Sequence, residues 1–295
     1  MEELSKMNVE PFFRYARERY RIFLQKQAGI APPWTTDEAL SQFRFCNIFR
    51  EDDKTTAWFR DNYRHEHRHE MNVVLATIIF RWFNKIETGE ILVKNGLLDN
   101  WNSTRAKQLL RSQDVIFTGA YIINSPPGMS KLDGICQNID RLMDKREIDL
   151  QPLVFKMMDN PSTQSMYKLH QALTKFERLG PFMAYEVVTD LRYTDVLHCA
   201  EDRMTWANPG PGALRGICRL NNLALDAWSR YSKAHAEILQ TAMRKILMES
   251  QNHSNWPSTW PKWEMREVEH TLCEFDKWER VHKGEGRMKQ TYTAK

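Results

Sequence analysis

The chain of 295 residues has no stretch approaching the ~18 uninterrupted apolar residues of a membrane helix. Its opening, MEELSKMNVEPFFRYARERYRIF, is charged throughout and lacks the apolar run of a secretion signal. These absences predict a cytoplasmic protein with no membrane partner. Five cysteines (Cys46, Cys136, Cys199, Cys218, Cys273) are odd in number and scattered, without a C-x-x-C pair. They read as reduced, mostly buried thiols and exclude a disulfide framework or a zinc ribbon. Forty-two Lys and Arg stand against 38 Asp and Glu, a net charge of +4, so a nucleic-acid surface must be a local patch. No repeat, low-complexity tract or long linker interrupts the chain, and strand-like alternation is scarce. The phosphate loop G-x-x-x-x-G-K-[ST] does not occur, which argues against kinase activity in this chain.

What is present is helical periodicity. It predicts an all-α body with helices near 10–29, 36–47, 53–62, 65–87, 104–113, 131–144, 165–178, 181–190, 213–247 and 264–280. Pro and Gly punctuate them at APPW (31–34), NSPPG (124–128), LGP (179–181) and NPGPG (208–212). TTDEAL (35–40) and NSTRAKQLL (102–110) have the form of N-caps followed by strong helix formers. The N- and C-terminal helices are expected to pack together around a cleft within one domain spanning 1–295. Within it fall an N-terminal half (31–130), a hairpin and glycine-turn segment (165–220), a returning C-terminal helix (264–289) and a mobile basic tail (284–295). Ten tryptophans are many for this length; core filling is the ordinary use, and stacking on bases the specific one.

His65-Glu66-His67-Arg68-His69 matches the H-E-x-x-H pattern of zinc hydrolases. On a helix, His65 and His69 would share a face and ligate zinc, with Glu66 as base. Read as one helix with Met71, Val74, Leu75, Ile78 and Trp82, this stretch puts both histidines well away from the apolar stripe. No third ligand is recognisable downstream, so a solvated polar face is the better reading and no metal is expected.

Two turns carry more information. In ALTKFERLGPFMAYEVVTDL (172–191) an amphipathic helix ends at Leu179-Gly180-Pro181 and another begins at once, the outline of a helix–hairpin–helix element. Such a hairpin offers backbone N–H groups to a DNA phosphate, although ordinary αα corners also use Gly-Pro. In DRMTWANPGPGALRGICRL (202–220), Gly210 and Gly212 are expected to permit positive φ and close approach of an anion, with Arg215 and Arg219 one turn apart on the next helix. That is a phosphate seat in outline, or a structural turn. In RFCNIFREDD, Asn47, Arg50 and Glu51 are expected to share a helix face. In EVEHTLCEFDKW, Glu269, Cys273 and Lys277 form a polar stripe across the Leu272/Phe275 face. A buried inert thiol suits Cys273 better than a nucleophile.

Four motifs in order, APPWTTDEALSQFRFCNIFREDDKTTAWF (31–59), FTGAYII (117–123), WANPGPGALRGICRL (206–220) and EVEHTLCEFDKWERVHKGEGRMK (267–289), carry a resemblance. The chain resembles the α-glutamyl/putrescinyl thymine pyrophosphorylase, or amino acid:DNA transferase, family of phages within the helix–hairpin–helix DNA glycosylase superfamily. The helical domain of 5-hydroxymethyluracil DNA kinases is also similar. The resemblance implies a glycosylase-like all-α architecture and a reaction on flipped-out thymine derivatives in double-stranded DNA, in the host cytoplasm if a phage encodes the chain. There the (pyro)phosphate of 5-(pyro)phosphomethyluracil is replaced by the amine of an amino acid or of putrescine. It implies no cofactor, and a 5-hydroxymethyluracil DNA kinase as a partner. Asp202, Asp53, Glu269 and Glu274 are then candidate bases, Asp202 (with Asp195 as the other possibility) by analogy with the glycosylase aspartate. Arg50, Gly210, Gly212 and Arg215 are candidates for the phosphate. Asn47, Trp206, Asn208 and Lys277 are candidates for the substrate, and Gly180 and Phe182 for DNA; Trp34, Phe45 and Trp58 could wedge or stack. A glycosylase that excises the base and a non-catalytic DNA-binding module are the alternatives.

Overall fold

A computed structural model describes residues 7–119, 125–229 and 231–285. Residues 120–123 of the FTGAYII motif and nearly all of the basic tail lie outside them. Thirteen α-helices form among the described residues, and no strand. The expected all-α class is what the chain adopts. By its internal contacts the chain divides into two compact units, residues 1–53 with 203–295, and residues 54–202.

The first unit is organised on α13 (Met265–His282), opened by a capping box in which the Glu264 N–H donates to Glu267 Oε2 at 2.9 Å. α1 (Glu10–Gln27) packs on it through aromatic rings: Phe12 meets Phe275 edge-on, 5.9 Å between centroids, and Tyr15 lies 5.7 Å from Trp278. Trp256, Trp263 and Trp278 are buried with them, so most of this unit's tryptophan fills core. α2 (Glu38–Gln42) is capped by Asp37, whose carboxylate accepts from the Leu40 N–H. α11 (Pro211–Leu220) approaches α13 most closely of all, and α12 (Lys233–Glu249) covers its flank.

That closeness depends on two glycines one turn apart. A Cβ on Gly212 would stand 2.4 Å from Cys273 Sγ, and one on Gly216 would stand 2.6 Å from the Leu272 carbonyl oxygen. Neither Gly210 nor Gly212 has positive φ; Gly210 is extended at −75°, 172° as the residue before α11. The glycine pair Gly212 and Gly216 therefore serves helix packing, and the positive φ expected of the turn is not what it adopts.

In the second unit α4 (Val73–Phe83) is buried at every residue and forms the centre, packed against α10 (Pro181–Leu191) and α5 (Ile86–Lys94). Around them lie α3 (Lys54–Phe59), α6 (Ser103–Leu110), α7 (Lys131–Asp149), α8 (Gln151–Asp159) and α9 (Met166–Leu173). The Asn102 side chain caps α6, as its sequence indicates.

Several boundaries differ from expectation, for identifiable reasons. The 65–87 helix is α4 and α5, split at Asn84 in the left-handed region (φ 46°). Residues 65–69 are turns, so the shared helical face that H-E-x-x-H needs is absent; His69 pairs with Asp195 at 2.6 Å and Arg68 binds the His65 carbonyl. The 213–247 helix is α11 and α12, parted after Asn222 (φ 54°). The 36–47 helix stops at Gln42; the Cys46 and Asn47 N–H groups, which a helix would aim at the carbonyls of 42 and 43, go instead to Glu274 and Asp53. The hairpin helix ends at Leu173, leaving seven residues, 174–180, where a tight corner was expected.

A polar face on the C-terminal helix

Residues 44–53 run as an extended strap and a short 3-10 turn (Arg50–Asp52) along one face of α13. The strap is pinned from both sides. Arg19 donates to the carbonyls of Cys46 (3.0 Å) and Phe45 (3.2 Å) and to Asn47 Oδ1 (2.5 Å). From α13, Glu274 accepts the Cys46 N–H at 2.9 Å, while Lys277 donates to the Arg44 carbonyl and lies 3.2 Å from Glu274. The strap closes on itself where Asp53 accepts the Asn47 N–H at 2.9 Å and Asn47 Nδ2 reaches the Asp52 carbonyl at 2.7 Å.

His270 lies within this frame. Its ring lies beside the Asn47 backbone, which favours the charged form slightly, and its Nε2 is buried with no hydrogen-bond partner. Burial, with the charges of Arg266, Arg50 and Lys277, holds the imidazole pKa well below its usual value. It is thus a neutral histidine in cationic surroundings. Burial raises the Asp53 carboxyl above its ordinary pKa, against the Asn47 N–H and the charges of Arg50, Arg19 and Arg266. Arg266 is 6% exposed and its Nη1 has no hydrogen-bond partner. Cys46, Asn47, Asp53, Glu269, His270, Glu274 and Lys277 are all half-buried, neither sealed nor on the open surface.

Cys46, Asp53 and His270 bring one donor atom each within 4.8 Å of one another, the one group among the described residues with metal-ligand spacing. The environment disfavours a cation. Burial and the carboxylates of Glu274 and Asp53 hold Cys46 as the thiol, and Arg50, Arg266 and Lys277 already press positive charge on the imidazole. Cys273 is likewise held as a thiol, by burial and by Glu274 and Glu269.

The sequence candidates divide accordingly. Asn47, Arg50, Asp53, Glu274 and Lys277 come together here, although Asn47 and Arg50 share no helix. Glu269 turns to the adjoining corner, where it accepts the Gly210 N–H at 3.0 Å and so seats an internal carboxylate on the start of α11. Arg215 is bound to the fully buried Asp276 at 2.8 Å, as is Arg219 at 2.9 Å. Trp206 and Asn208 are half-buried in the loop before α11, which Gln240 fastens through both polar groups of Ala207. In the other unit, Asp202 accepts from Ser165 Oγ and from the Met166 and Tyr167 N–H groups, at 2.7–2.9 Å, across the start of α9. Gly180 and Phe182 are exposed there, at the start of α10, and Trp58 packs on Phe80. Cys136 and Cys218 are buried and Cys199 exposed.

Arg19, Cys46, Arg266 and His270 were not singled out from the sequence. The spacing 266, 270, 274 (one turn each) is the sequence signal for Arg266 and His270, beside the polar stripe of Glu269, Cys273 and Lys277.

A family model for the helical domain of 5-hmdU DNA kinase matches residues 6–288. A 5-hmdU DNA kinase of Bacillus phage SP10 is 28% identical over 218 residues, which are 67% of this chain and 33% of that protein. The chain thus aligns with about a third of the length of the curated relative it matches. No solved structure matches.

Proposed function

Because the chain belongs to the family of the helical domain of 5-hmdU DNA kinases, we propose that it acts on phage DNA carrying 5-hydroxymethyluracil-derived thymine and exchanges a (pyro)phosphate on the base for an amine. The observation that carries this reading is His270: held neutral by burial and neighbouring cations, beside the Asn47 backbone, with a buried Nε2 that has no hydrogen-bond partner. Amine transfer to a phosphorylated CH₂ group makes these demands. A cationic amine must lose a proton to a base that is itself unprotonated near neutral pH, and an anion must depart toward positive charge. His270 Nε2 takes the proton. The amine nitrogen bonds to the exocyclic carbon, the C–O bond to the (pyro)phosphate breaks, and its oxygen leaves with the electron pair toward Arg50 and Arg266. Asp53 balances the guanidinium charge and, through the Asn47 N–H, sets the strap beside His270. The target base must leave the helix stack for its 5-substituent to reach such groups.

Mixing the protein, duplex DNA containing 5-phosphomethyluracil or its pyrophosphate, and a pool of amino acids with putrescine tests this by nucleoside mass spectrometry. An amine-substituted nucleoside with an intact glycosidic bond is the expected product. Abasic sites would make the protein a glycosylase. Binding without any turnover would favour a second reading, a DNA-recognition module for a kinase. The family match supports that reading too, since it is to one domain of such an enzyme.

A further inference from the structure

Beside the polar face, in the same unit, a cavity of about 470 Å³ opens between α1, α2 and the strap. Its wall combines three features. Trp34, Phe43 and Phe45 supply rings, Pro32 and Pro33 a rigid edge, and Arg19, Lys26 and Arg44 positive charge. No carboxylate is among its lining residues. The Lys26 ammonium stands over the Trp34 indole, 4.4 Å from its centre, so ring and cation are presented together. Arg44 is exposed at the edge, and among the described residues its guanidinium has no ion-pair or hydrogen-bond partner. Inside, Arg19 is 9% exposed; it holds the strap by three oxygens while its Nη1 has no partner.

We infer that this cavity receives one nucleotide of a DNA strand, with the base between the rings and a flanking phosphate on Arg44 and Lys26. The inference rests on the reading that the substrate is DNA. Aromatic faces and cations in a wall without a carboxylate suit a planar, anionic ligand, and the volume suits a single nucleotide and is far too small for a duplex. Arg19 and Phe45 belong both to the cavity and to the frame around Cys46 and Asn47, so a base held here sits next to the polar face.

The test is binding of the full chain to a fluorescein-labelled 12-nucleotide single strand with one central 5-hydroxymethyluracil, by anisotropy at two salt concentrations. Thymidine monophosphate serves as competitor, and a 5-iodouracil strand serves for photocrosslinking. Arg44→Glu, on an exposed side chain that folding does not need, is expected to weaken binding by about tenfold or more and to flatten the salt dependence. Trp34→Ala should weaken it by roughly fivefold to a hundredfold, with Trp34→Phe retaining most of the affinity. The crosslink should map to peptides holding Trp34 or Phe43–Phe45. Wild-type binding by both Arg44→Glu and Trp34→Ala would overturn the assignment. So would full displacement of the strand by equimolar thymidine monophosphate, which would make the pocket one for free nucleotides. Because no turnover is measured, the proposed reaction can fail while this site stands, and product can form while the two variants bind unchanged.

Discussion

In residues 54–202, Arg81 and Asp190 face each other with side chains 1% exposed. Both carboxylate oxygens accept from Arg81 at 2.6 Å, and Thr56 (3.0 Å) and Asn84 (2.8 Å) complete its guanidinium. On the polar face of α13 the same kinds of groups are left incomplete. Arg266 Nη1, Arg19 Nη1 and His270 Nε2 are buried atoms with no partner, and burial holds both Asp53 and His270 away from their ordinary pKa values. A buried donor or acceptor without a partner costs about 1–3 kcal/mol, so a fold does not accumulate several in one place without some return. The closed network stabilises a helix pair; the open one is the arrangement on which the proposed function rests.

Breaking the closed network should have the largest effect on folding. Asp190→Ala leaves Arg81 charged in the centre of its unit and is expected to cost about 3–5 kcal/mol in urea denaturation. Replacing both partners, as Arg81→Met with Asp190→Leu, should recover part of that loss, because the buried Arg64, 3.8 Å from Asp190, keeps its charge. A cost below ~1 kcal/mol for the single change would mean the network contributes little.

The open network should respond in the opposite sense. His270→Gln is expected to lower turnover by about 10²- to 10⁴-fold while unfolding shifts by less than ~1 kcal/mol. Asp53→Asn should cost turnover too, but leave stability unchanged or raised at pH 7. Its folded pKa is raised, so the carboxyl contributes fully below its unfolded value of ~3.9 and that contribution is lost as pH rises through the folded value. The gain from Asn should therefore vanish in acid. For His270 the folded pKa is lowered: stability is present above ~6.5 and lost as pH falls through the folded value, and kcat/KM should hold down to pH 6.5 and decline only below it.

Legibility from sequence follows the same division. Ten predicted helices map onto elements that form, because amphipathic period and caps such as Asp37 and Asn102 are local signals. The breaks at Asn84 and Asn222 were missed, since an asparagine in the left-handed region looks in sequence like any polar helix residue. Asp53, Glu274 and Lys277 could be picked out as polar residues within aromatic motifs. His270 could not, because its meaning depends on the backbone near Asn47, 223 positions away, and on a strap held by Arg19, Glu274 and Asp53 from distant parts of the sequence.

The glycine pair sharpens the contrast between packing and binding. Gly216→Ala sets a methyl against the Leu272 carbonyl, backbone that cannot swing aside, and is expected to cost about 2–3 kcal/mol. Gly212→Ala meets chiefly the Cys273 thiol, should cost about 1–2 kcal/mol, and should be partly rescued by Cys273→Ala. Equal rescue of Gly216→Ala by Leu272→Ala would show that side chains, not backbone, set the α11–α13 distance. If Gly212 instead served an anion, its alanine variant would lose DNA binding before it lost stability.

The last test is one of pH dependence, at the start of α13, where Glu267 combines both behaviours: it is satisfied by the Glu264 N–H yet 4% exposed, and burial lifts its pKa to about 7. Because the folded value lies above the unfolded one near 4.5, its contribution is complete below pH 4.5 and lost as pH rises to about 7. Glu267→Gln keeps the capping-box geometry, since the amide oxygen can accept the same N–H. The carboxylate has one advantage the amide lacks, its charge at a helix N-terminus, worth about 0.3–1 kcal/mol. The cost of stripping water from that charge outweighs this gain, so the variant should be more stable at pH 8 and equal to the wild type near pH 4.5. Thermal unfolding at the two pH values measures the difference, and a variant less stable at pH 8 would place this carboxylate with Asp190 among the satisfied charges.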